Sequence, residues 1–204
     1  LRHLASVLHL EPCANAAELG RQLAARQLLL VLDGADLLLG ACRHLVRTLA
    51  QYAPEVSVLL SSREALHLPG EWVQCVPRLA LPTPCGWGNA EQAMTSPAVQ
   101  LFVTRVRASQ QGFVLRAQDL APLREICRSL DGIPLALELA AAQVEALGIH
   151  GVQTQLRSSL QVLTRGRRTA VERHQSFAAA LDWSYARLSL PERWLFLQLG
   201  LFKM

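Results

Sequence analysis

The sequence predicts an α/β region with a parallel sheet, followed by an all-α region. Two observations predict the sheet: the runs Leu28–Leu32 and Val58–Leu60 are apolar at every position, and a helix-like stretch separates them. A continuously apolar run is typical of a strand buried on both faces, as in parallel sheets that are covered by helices. A third observation, the recurrence of apolar residues at helical spacing over residues 97–163, predicts the all-α region.

The composition is that of a folded chain. Of its 204 residues, 51% are hydrophobic and 18% are charged, which argues against disorder. No apolar run is long enough to span a bilayer, and no signal peptide is visible. The five cysteines form no Cys-x-x-Cys pair, so we interpret them as reduced thiols of a cytoplasmic protein. The six histidines lack metal-ligand spacing, and no Gly-x-Ser-x-Gly elbow supports a hydrolase triad.

The first region alternates helices and strands. Asn15 and Glu18 have the spacing of a capping box, which predicts a helix from there to about residue 26. We predict a strand over 28–33, a helix over 37–52 and a strand over 56–61. This order is half of a doubly wound sheet, in which neighbouring strands run parallel.

Turn-forming residues separate the two regions. The segment 72–76 is a candidate for a further short strand, and the prolines and glycines over 77–96 predict a connector. Ser96 followed by Pro97 has the pattern of a helix cap with proline in the first turn. Predicted helices then run from Pro97 to before Gly112, over 119–130, from Pro134 to before Gly148, and over 152–163.

The last quarter of the chain is basic. Residues 151–204 contain 8 basic and 3 acidic residues. We interpret the arginine-rich run 165–168 as a solvated linker, after which a helix is predicted over 173–187. Ser189 and Glu192 have the spacing of a second capping box, which predicts a last helix. Two helices joined by a tight turn on basic flanks could begin a helix-turn-helix or winged-helix unit.

Polar side chains follow both predicted strands. Asp33 ends the first strand, and Ser61, Ser62 and Arg63 end the second. In open α/β sheets, ligands bind just outside the carboxyl ends of the strands. An acid for a divalent cation and an arginine for a terminal phosphate therefore suggest a nucleoside triphosphate site. As alternatives, Asp33 could cap the following helix, and Arg63 could pair with Glu64 at the surface.

Two further features are candidates for a functional role. Asp36 could orient an attacking water as a general base. It could equally be a first-turn acid that the helix dipole favours. Gly132-Ile133-Pro134-Leu135 marks a sharp turn into a helix, and it is either an ordinary helix start or part of a family motif.

A phosphate-binding loop is missing from the sequence. The pattern Gly-x-x-x-x-Gly-Lys-Ser/Thr needs a lysine that reaches the outer phosphates. The only lysine is Lys203, and the chain begins with Leu1. We therefore interpret the chain as a piece of a longer protein, with the first strand and the phosphate loop upstream.

Together, these motifs resemble the STAND class of signal-transduction NTPases, the NB-ARC-like group. The resemblance is to the ATPase module of bacterial transcriptional regulators of the LuxR and antibiotic-regulatory-protein types. Leu28 to Leu38 resembles the Walker B strand with its acidic turn, and Val58 to Pro82, with its Leu-Pro-Gly-Glu, resembles the sensor strand and loop. Cys127 to Ala142 resembles the Gly-Leu-Pro-Leu helix, and Arg173 to Phe202 resembles the start of the winged-helix domain.

The resemblance implies a domain organisation. Residues 1–82 would be the C-terminal part of a P-loop NTPase core, an α/β structure with a parallel sheet. A connector over 83–96 would lead to an all-α helical domain over 97–163. Residues 164–204 would form a linker and the start of a winged-helix domain.

The resemblance also implies roles for individual residues. Asp33 matches the magnesium ligand, and Asp36 matches a position where the family usually carries glutamate. Arg63 matches the sensor arginine that reads the terminal phosphate, with two serine hydroxyls beside it. Pro134 matches the proline that packs against adenine. The implied cofactors are ATP or ADP and Mg²⁺.

Three functions remain open on the sequence. The first is an ATP/ADP-dependent switch in transcriptional regulation, whose parent protein could be a slow ATPase although the piece alone is not expected to hydrolyse ATP. Its expected partners are nucleotide, other domains of the parent chain, a second copy, and DNA through a separate domain, but no membrane. The second is a scaffold that kept the fold and lost nucleotide chemistry, motivated by the missing lysine. The third is a DNA-binding module, motivated by the basic last quarter.

Overall fold

The computed structural model describes residues 1–81, 89–158, 163, 176–186 and 188–199. The chain divides into two compact units, Leu1–Cys75 and Val76–Met204. The predicted arginine-rich linker at 165–168 lies outside the described residues.

The unit Leu1–Cys75 combines helices with a two-stranded parallel sheet. Its core consists of helix and strand residues such as Leu19, Leu30 and Leu49. A 3₁₀ turn, Ala35–Leu37, connects the first strand to the helix after it. The elements are α1 (Arg2–Val7), α2 (Ala16–Leu23), β1 (Leu28–Leu32), α3 (Leu39–Tyr52) and β2 (Val56–Leu60).

The predicted capping box begins α2. The Glu18 backbone N–H donates to Asn15 Oδ1 at 2.9 Å, and the Ala14 backbone N–H donates to Glu18 Oε2 at 2.8 Å. The helix ends at Leu23, earlier than predicted, and the Arg26 backbone N–H turns back to the Leu23 carbonyl at 2.9 Å. The capping signal therefore located the start of the helix, whereas no comparable signal marked its end.

The two strands are parallel, as predicted, and pair in register from Leu28 with Val56 to Leu32 with Leu60. The prediction that they are buried on both faces is wrong. Leu30 is 6% exposed, but Leu29, Val31 and Leu59 on the other face are 60%, 59% and 57% exposed. Successive side chains of a strand point to opposite faces, and the core that contains α2 and α3 covers only one of them.

The candidate strand over 72–76 is not a strand in the structure. The segment carries no assigned secondary structure, and Trp72 and Val76 are 89% and 92% exposed. A β-rich sequence becomes a strand only when a neighbouring strand accepts its backbone hydrogen bonds.

The described part of the unit Val76–Met204 is helical. Its core is formed by apolar residues of successive helices, among them Phe102, Leu123 and Leu137, all fully buried. Two ion pairs connect helices of this unit, one between Arg105 and Glu138 and one between Arg157 and Glu125. The described helices are α4 (Ala90–Ala93), α5 (Pro97–Ser109), α6 (Leu120–Ser129), α7 (Pro134–Ala141), α8 (Val144–Ser158), α9 (Phe177–Tyr185) and α10 (Leu190–Leu199).

Two helix starts in this unit are at the predicted prolines, Pro97 and Pro134. Ser96 does not cap α5, however, because its hydroxyl donates to the Ala80 carbonyl at 3.0 Å. The predicted helix from Pro134 to Gly148 is interrupted after Ala141, and the two segments on either side of the break are bent by 119°. Within the described ranges no single helix is long and apolar enough to cross a membrane.

The last two described helices begin at side-chain caps, of which only the one formed by Ser189 and Glu192 was predicted. Ser176 accepts the Ala179 backbone N–H at 2.9 Å at the start of α9. Glu192 accepts the Ser189 backbone N–H at 2.7 Å at the start of α10. Helix α10 buries none of its residues among the described part of the chain, and Trp194 is 65% exposed. The two predicted helices are present in sequence, and the winged-helix domain stays a prediction.

The turn before α7 is held by a short strap, which we define as residues 78–80. The Leu79 backbone N–H donates to the Gly132 carbonyl at 3.1 Å, and Arg78 forms an ion pair with Asp131. Gly132 has a φ of +64°, and a Cβ at this position would lie 2.3 Å from the Leu79 carbonyl oxygen. Glycine is therefore required at position 132 both by the backbone angle and by the close approach of the strap.

We expect Gly132→Ala to destabilise the protein more than Gly112→Ala. Both glycines have positive φ, +64° and +80°, but the space around Gly112 is open. Gly112→Ala should cost about 1–2 kcal/mol of unfolding free energy for the left-handed backbone alone. Gly132→Ala should cost about 1–3 kcal/mol more for the clash with the strap. The unfolding free energies of both variants can be measured by urea unfolding monitored by circular dichroism. Equal losses would contradict a role for the strap.

Candidate functional site

The carboxyl ends of the two strands are joined by Ser61. Its hydroxyl donates to Asp33 Oδ1 at 2.5 Å and accepts the Gly34 backbone N–H at 2.8 Å. Its own backbone N–H donates to the Leu32 carbonyl at 3.0 Å, and its carbonyl accepts the Ala35 N–H at 3.0 Å. The two predicted polar strand ends therefore meet at one edge of the sheet, with the exposed Asp33 carboxylate beside the Ser61 hydroxyl.

Gly34 allows the chain to turn directly after Asp33. Its φ of +68° and ψ of +44° lie in the left-handed region, which costs little for glycine. The chain enters the 3₁₀ turn Ala35–Leu37 at this point, and Ala35 is buried. The sharp turn keeps Asp33 at the strand end and places Asp36 one turn further on.

Asp36 contacts the first residues after β2. Its Oδ1 accepts the Arg63 backbone N–H at 2.8 Å, the Ser62 hydroxyl at 3.3 Å and Arg63 Nε at 3.4 Å. The Asp36 side chain is 15% exposed and that of Arg63 is 52% exposed. The structure thus brings Asp33, Asp36 and the Ser61-Ser62-Arg63 group together, all within one unit.

These contacts favour the ionised form of Asp36. The hydrogen bond from the Arg63 backbone N–H is the main cause that lowers the pKa of Asp36, and the Arg63 guanidinium and Ser62 hydroxyl add to it. Burial acts in the opposite direction but does not prevail. The Asp36 carboxylate therefore stays charged and hydrogen-bonded near neutral pH.

Two residues that the sequence analysis assigned no role hold the loop after Arg63. Arg43 on α3 donates from Nε to the Leu66 carbonyl at 2.7 Å. Glu71 accepts the backbone N–H groups of Leu66 at 2.8 Å and Leu68 at 3.1 Å, and these bonds lower the pKa of Glu71. Glu71 ends the Leu-Pro-Gly-Glu motif, so a signal existed for it, whereas nothing in the sequence singled out Arg43.

Pro134 lies in the other unit. It is the exposed first residue of α7, directly after the turn at Gly132 that the strap holds. Its predicted contact with a nucleotide stays a prediction.

The donor atoms at the strand ends suit a magnesium–phosphate ligand better than a metal held by protein alone. Among the described residues, no group of three or more His, Cys, Asp and Glu could hold a metal ion. Mg²⁺ commonly uses one or two carboxylates, and it takes its other ligands from water and substrate phosphates. The Asp33 carboxylate with the Ser61 hydroxyl beside it offers donor atoms of the kind that Mg²⁺ takes, and the metal role of Asp33 stays a prediction.

We expect Ser61→Ala to weaken the sheet at its carboxyl end, because it removes a hydrogen bond to a carboxylate and one from a backbone N–H. The loss of unfolding free energy should be about 1–2 kcal/mol. Ser57→Ala, at an exposed position of β2, the strand that Ser61 follows, is the matched control and should change stability by less than about 0.5 kcal/mol. Urea unfolding of both variants checks this, and similar losses would contradict the role of Ser61.

We expect the stability that Asp36 contributes to disappear in acid. Its pKa is lowered on folding, so the contribution is complete above about pH 4, the ordinary range of a carboxyl group, and is lost as the pH falls through the lowered value. Asp36→Asn should therefore show a shallower fall of unfolding free energy between neutral and acidic pH than the wild type. Glu55→Gln, at an exposed position before β2, is the control. Parallel pH profiles for wild type and Asp36→Asn would contradict the expectation.

Known proteins that resemble this chain include transcriptional regulators. No family model matches the chain, and no solved structure matches it either. It is 38% identical over 184 residues, or 90% of its length, to "Putative HTH-type transcriptional regulator Rv0890c" of Mycobacterium tuberculosis and to "Putative HTH-type transcriptional regulator Mb0914c" of Mycobacterium bovis. It is 36% identical over 176 residues to "Uncharacterized protein Rv0894" of Mycobacterium tuberculosis. The chain spans 19% of the length of the first two relatives and 42% of the third, so it is similar to one segment of longer proteins.

Proposed function

We propose that this chain is part of a nucleotide-dependent switch in a transcriptional regulator, and that ATP or ADP binds with Mg²⁺ at the carboxyl end of the sheet. The observation that carries the proposal is made at the ends of two adjacent parallel strands, where Asp33 meets Ser61. Asp36, one turn further on, meets Ser62 and Arg63 at the same edge of the sheet. The names of the longer relatives support the regulatory part of the proposal. The resemblance to STAND NTPases supports the nucleotide part.

Each residue of the site has a proposed task. Asp33 would hold Mg²⁺, which when bound supplies positive charge that neutralises phosphate oxygens. Arg63 would meet the terminal phosphate, because its planar guanidinium forms paired hydrogen bonds with phosphate oxygens. The hydroxyls of Ser61 and Ser62 would support that contact. Pro134, from the helical unit, would pack against adenine as the family resemblance implies.

A switch requires different affinities for the two nucleotides in its two states. Arg63 is the proposed source of that difference, because ADP lacks the phosphate that Arg63 would read. DNA binding would belong to a separate domain of the longer protein, in line with the HTH-type name of its relatives. Slow hydrolysis by the parent protein and assembly with a second copy are compatible with this scheme.

A scaffold function is the second candidate, and a different observation favours it. Leu29, Val31 and Leu59 form an exposed apolar face of the sheet, which is a surface that another protein segment could cover. The Asp33 carboxylate also already has a partner in Ser61. A protein that kept the fold and lost nucleotide chemistry would retain both features.

Calorimetric titration of ATP and ADP, with and without Mg²⁺, tests the proposal. The protein to use is the full product of the gene that encodes this chain. We expect micromolar or tighter binding, which Asp33→Ala weakens about tenfold only when Mg²⁺ is present. Arg63→Ala should lower the ratio of ATP to ADP affinity, because it removes the contact with the terminal phosphate. Glu55→Ala, at an exposed position at the opposite end of β2, is the control.

The outcomes separate the two candidates. Equal ATP-to-ADP affinity ratios in wild type and Arg63→Ala would remove the sensor role of Arg63. Absence of nucleotide binding in a protein whose circular dichroism shows it to be folded would contradict the switch, and the scaffold would then become the better explanation.

A further inference from the structure

The main chain next to Asp36 is hydrogen-bonded to the end of β2, independently of the Asp36 side chain. It lies on the 3₁₀ turn Ala35–Leu37, whose first residue is buried. The Ala35 backbone N–H donates to the Ser61 carbonyl at 3.0 Å. The main chain that carries Asp36 is therefore attached to the residue that begins the Ser61-Ser62-Arg63 group.

The shortest contact of Asp36 is to the backbone of Arg63 and not to its guanidinium. The distance from Oδ1 to the Arg63 backbone nitrogen is 2.8 Å, whereas Arg63 Nε and the Ser62 hydroxyl are 3.4 Å and 3.3 Å away. Truncating the Arg63 side chain would leave the short hydrogen bond in place. Truncating Asp36 would release the backbone from which the Arg63 side chain extends.

The loop that contains Arg63 is held at its other end by different residues. Arg43 holds the Leu66 carbonyl, and Glu71 holds the Leu66 and Leu68 backbone N–H groups. Because Leu66 is buried as well, the chain is fixed at that residue. Among these described contacts, Asp36 is the anchor on the strand side of Arg63, so the direction in which Arg63 leaves the sheet depends on it.

From these contacts we infer that Asp36 is a positioning residue that sets the backbone of Arg63 for recognition of the terminal phosphate, and not the base that takes a proton from water. The inference rests on the proposed function, because it names a specificity-determining residue of the same site. Asp36 Oδ1 already accepts three hydrogen bonds from the chain, so this oxygen is occupied in holding Ser62 and Arg63 and leaves no free position for a water proton.

The choice between the two roles can be tested with Asp36→Asn and Asp36→Ala. The amide oxygen of asparagine can still accept the Arg63 backbone N–H, but the amide cannot act as a base near neutral pH. Alanine removes both abilities. A positioning role therefore predicts that asparagine is tolerated and alanine is not, whereas a base role predicts that both variants lose hydrolysis equally.

The experiment measures ATP and ADP affinity by calorimetry, together with ATP hydrolysis, in the full product of the gene that encodes this chain. We expect Asp36→Ala to lower the ATP-to-ADP affinity ratio about tenfold, as Arg63→Ala should. Both variants would remove the ordered contact between the Arg63 guanidinium and the terminal phosphate. Asp36→Asn should keep the ratio within about threefold. The double variant Asp36→Ala/Arg63→Ala should lose no more than either single variant, because the two residues act through one contact. Glu55→Ala serves as the control.

A measurement without nucleotide accompanies the titrations. The Arg63 backbone amide should be protected from hydrogen exchange in wild type and in Asp36→Asn, and exposed to exchange in Asp36→Ala. This readout reports the hydrogen bond itself in the folded protein.

The outcomes are distinguishable. A wild type that discriminates ATP from ADP, combined with an unchanged ratio in Asp36→Ala, would overturn the inference and leave the proposed function standing. Loss of hydrolysis in Asp36→Asn, with an intact affinity ratio in both variants, would establish the base role instead. A folded wild type that binds neither nucleotide would contradict the proposed function, and the inference would be overturned with it.

Discussion

The hydrogen bonds of the Ser61 side chain are the interactions on which the candidate site depends. A single hydroxyl donates to the Asp33 carboxylate and accepts the Gly34 backbone N–H, so it joins the ends of two strands that are distant in sequence. The Ser61 backbone adds two hydrogen bonds, one to the Leu32 carbonyl and one from the Ala35 N–H. A two-stranded sheet is too small to hold its ends by packing alone. Ser61 therefore provides order where the polar side chains lie.

The loop after β2 extends that order away from the sheet. Asp36 holds the Arg63 backbone on one side, and Arg43 and Glu71 hold the chain around Leu66 on the other. Arg63 itself is half-exposed at the side chain while its backbone is fixed. A long cation on a fixed backbone loses less conformational entropy when it meets an anion than one on a mobile loop. This smaller entropy loss suits a residue whose proposed task is to distinguish ATP from ADP.

The two units differ in how completely their cores are covered. The helical unit buries Phe102, Leu123 and Leu137 between its own helices, and the strap at 78–80 closes the turn before α7. In the first unit the sheet has a buried face and an apolar exposed one. Apolar side chains on both faces of a strand are the sequence signature of a sheet that is covered on both sides. The exposed apolar face is therefore a surface that another protein segment could cover. The scaffold hypothesis depends on this exposed face.

The sequence by itself determined the strands, their parallel direction, the capping boxes at Asn15 and Ser189, and the helix starts at Pro97 and Pro134. These features follow from local patterns, because caps, prolines and apolar runs act through neighbouring residues. Only the tertiary structure decided that one face of the sheet is exposed, that Ser96 bonds to Ala80 instead of capping a helix, and that residues 72–76 pair with no strand. The same holds for the contact of Asp36 with the Arg63 backbone and for the role of Arg43. Each of these depends on which distant segment lies nearby, and a local pattern does not encode that information.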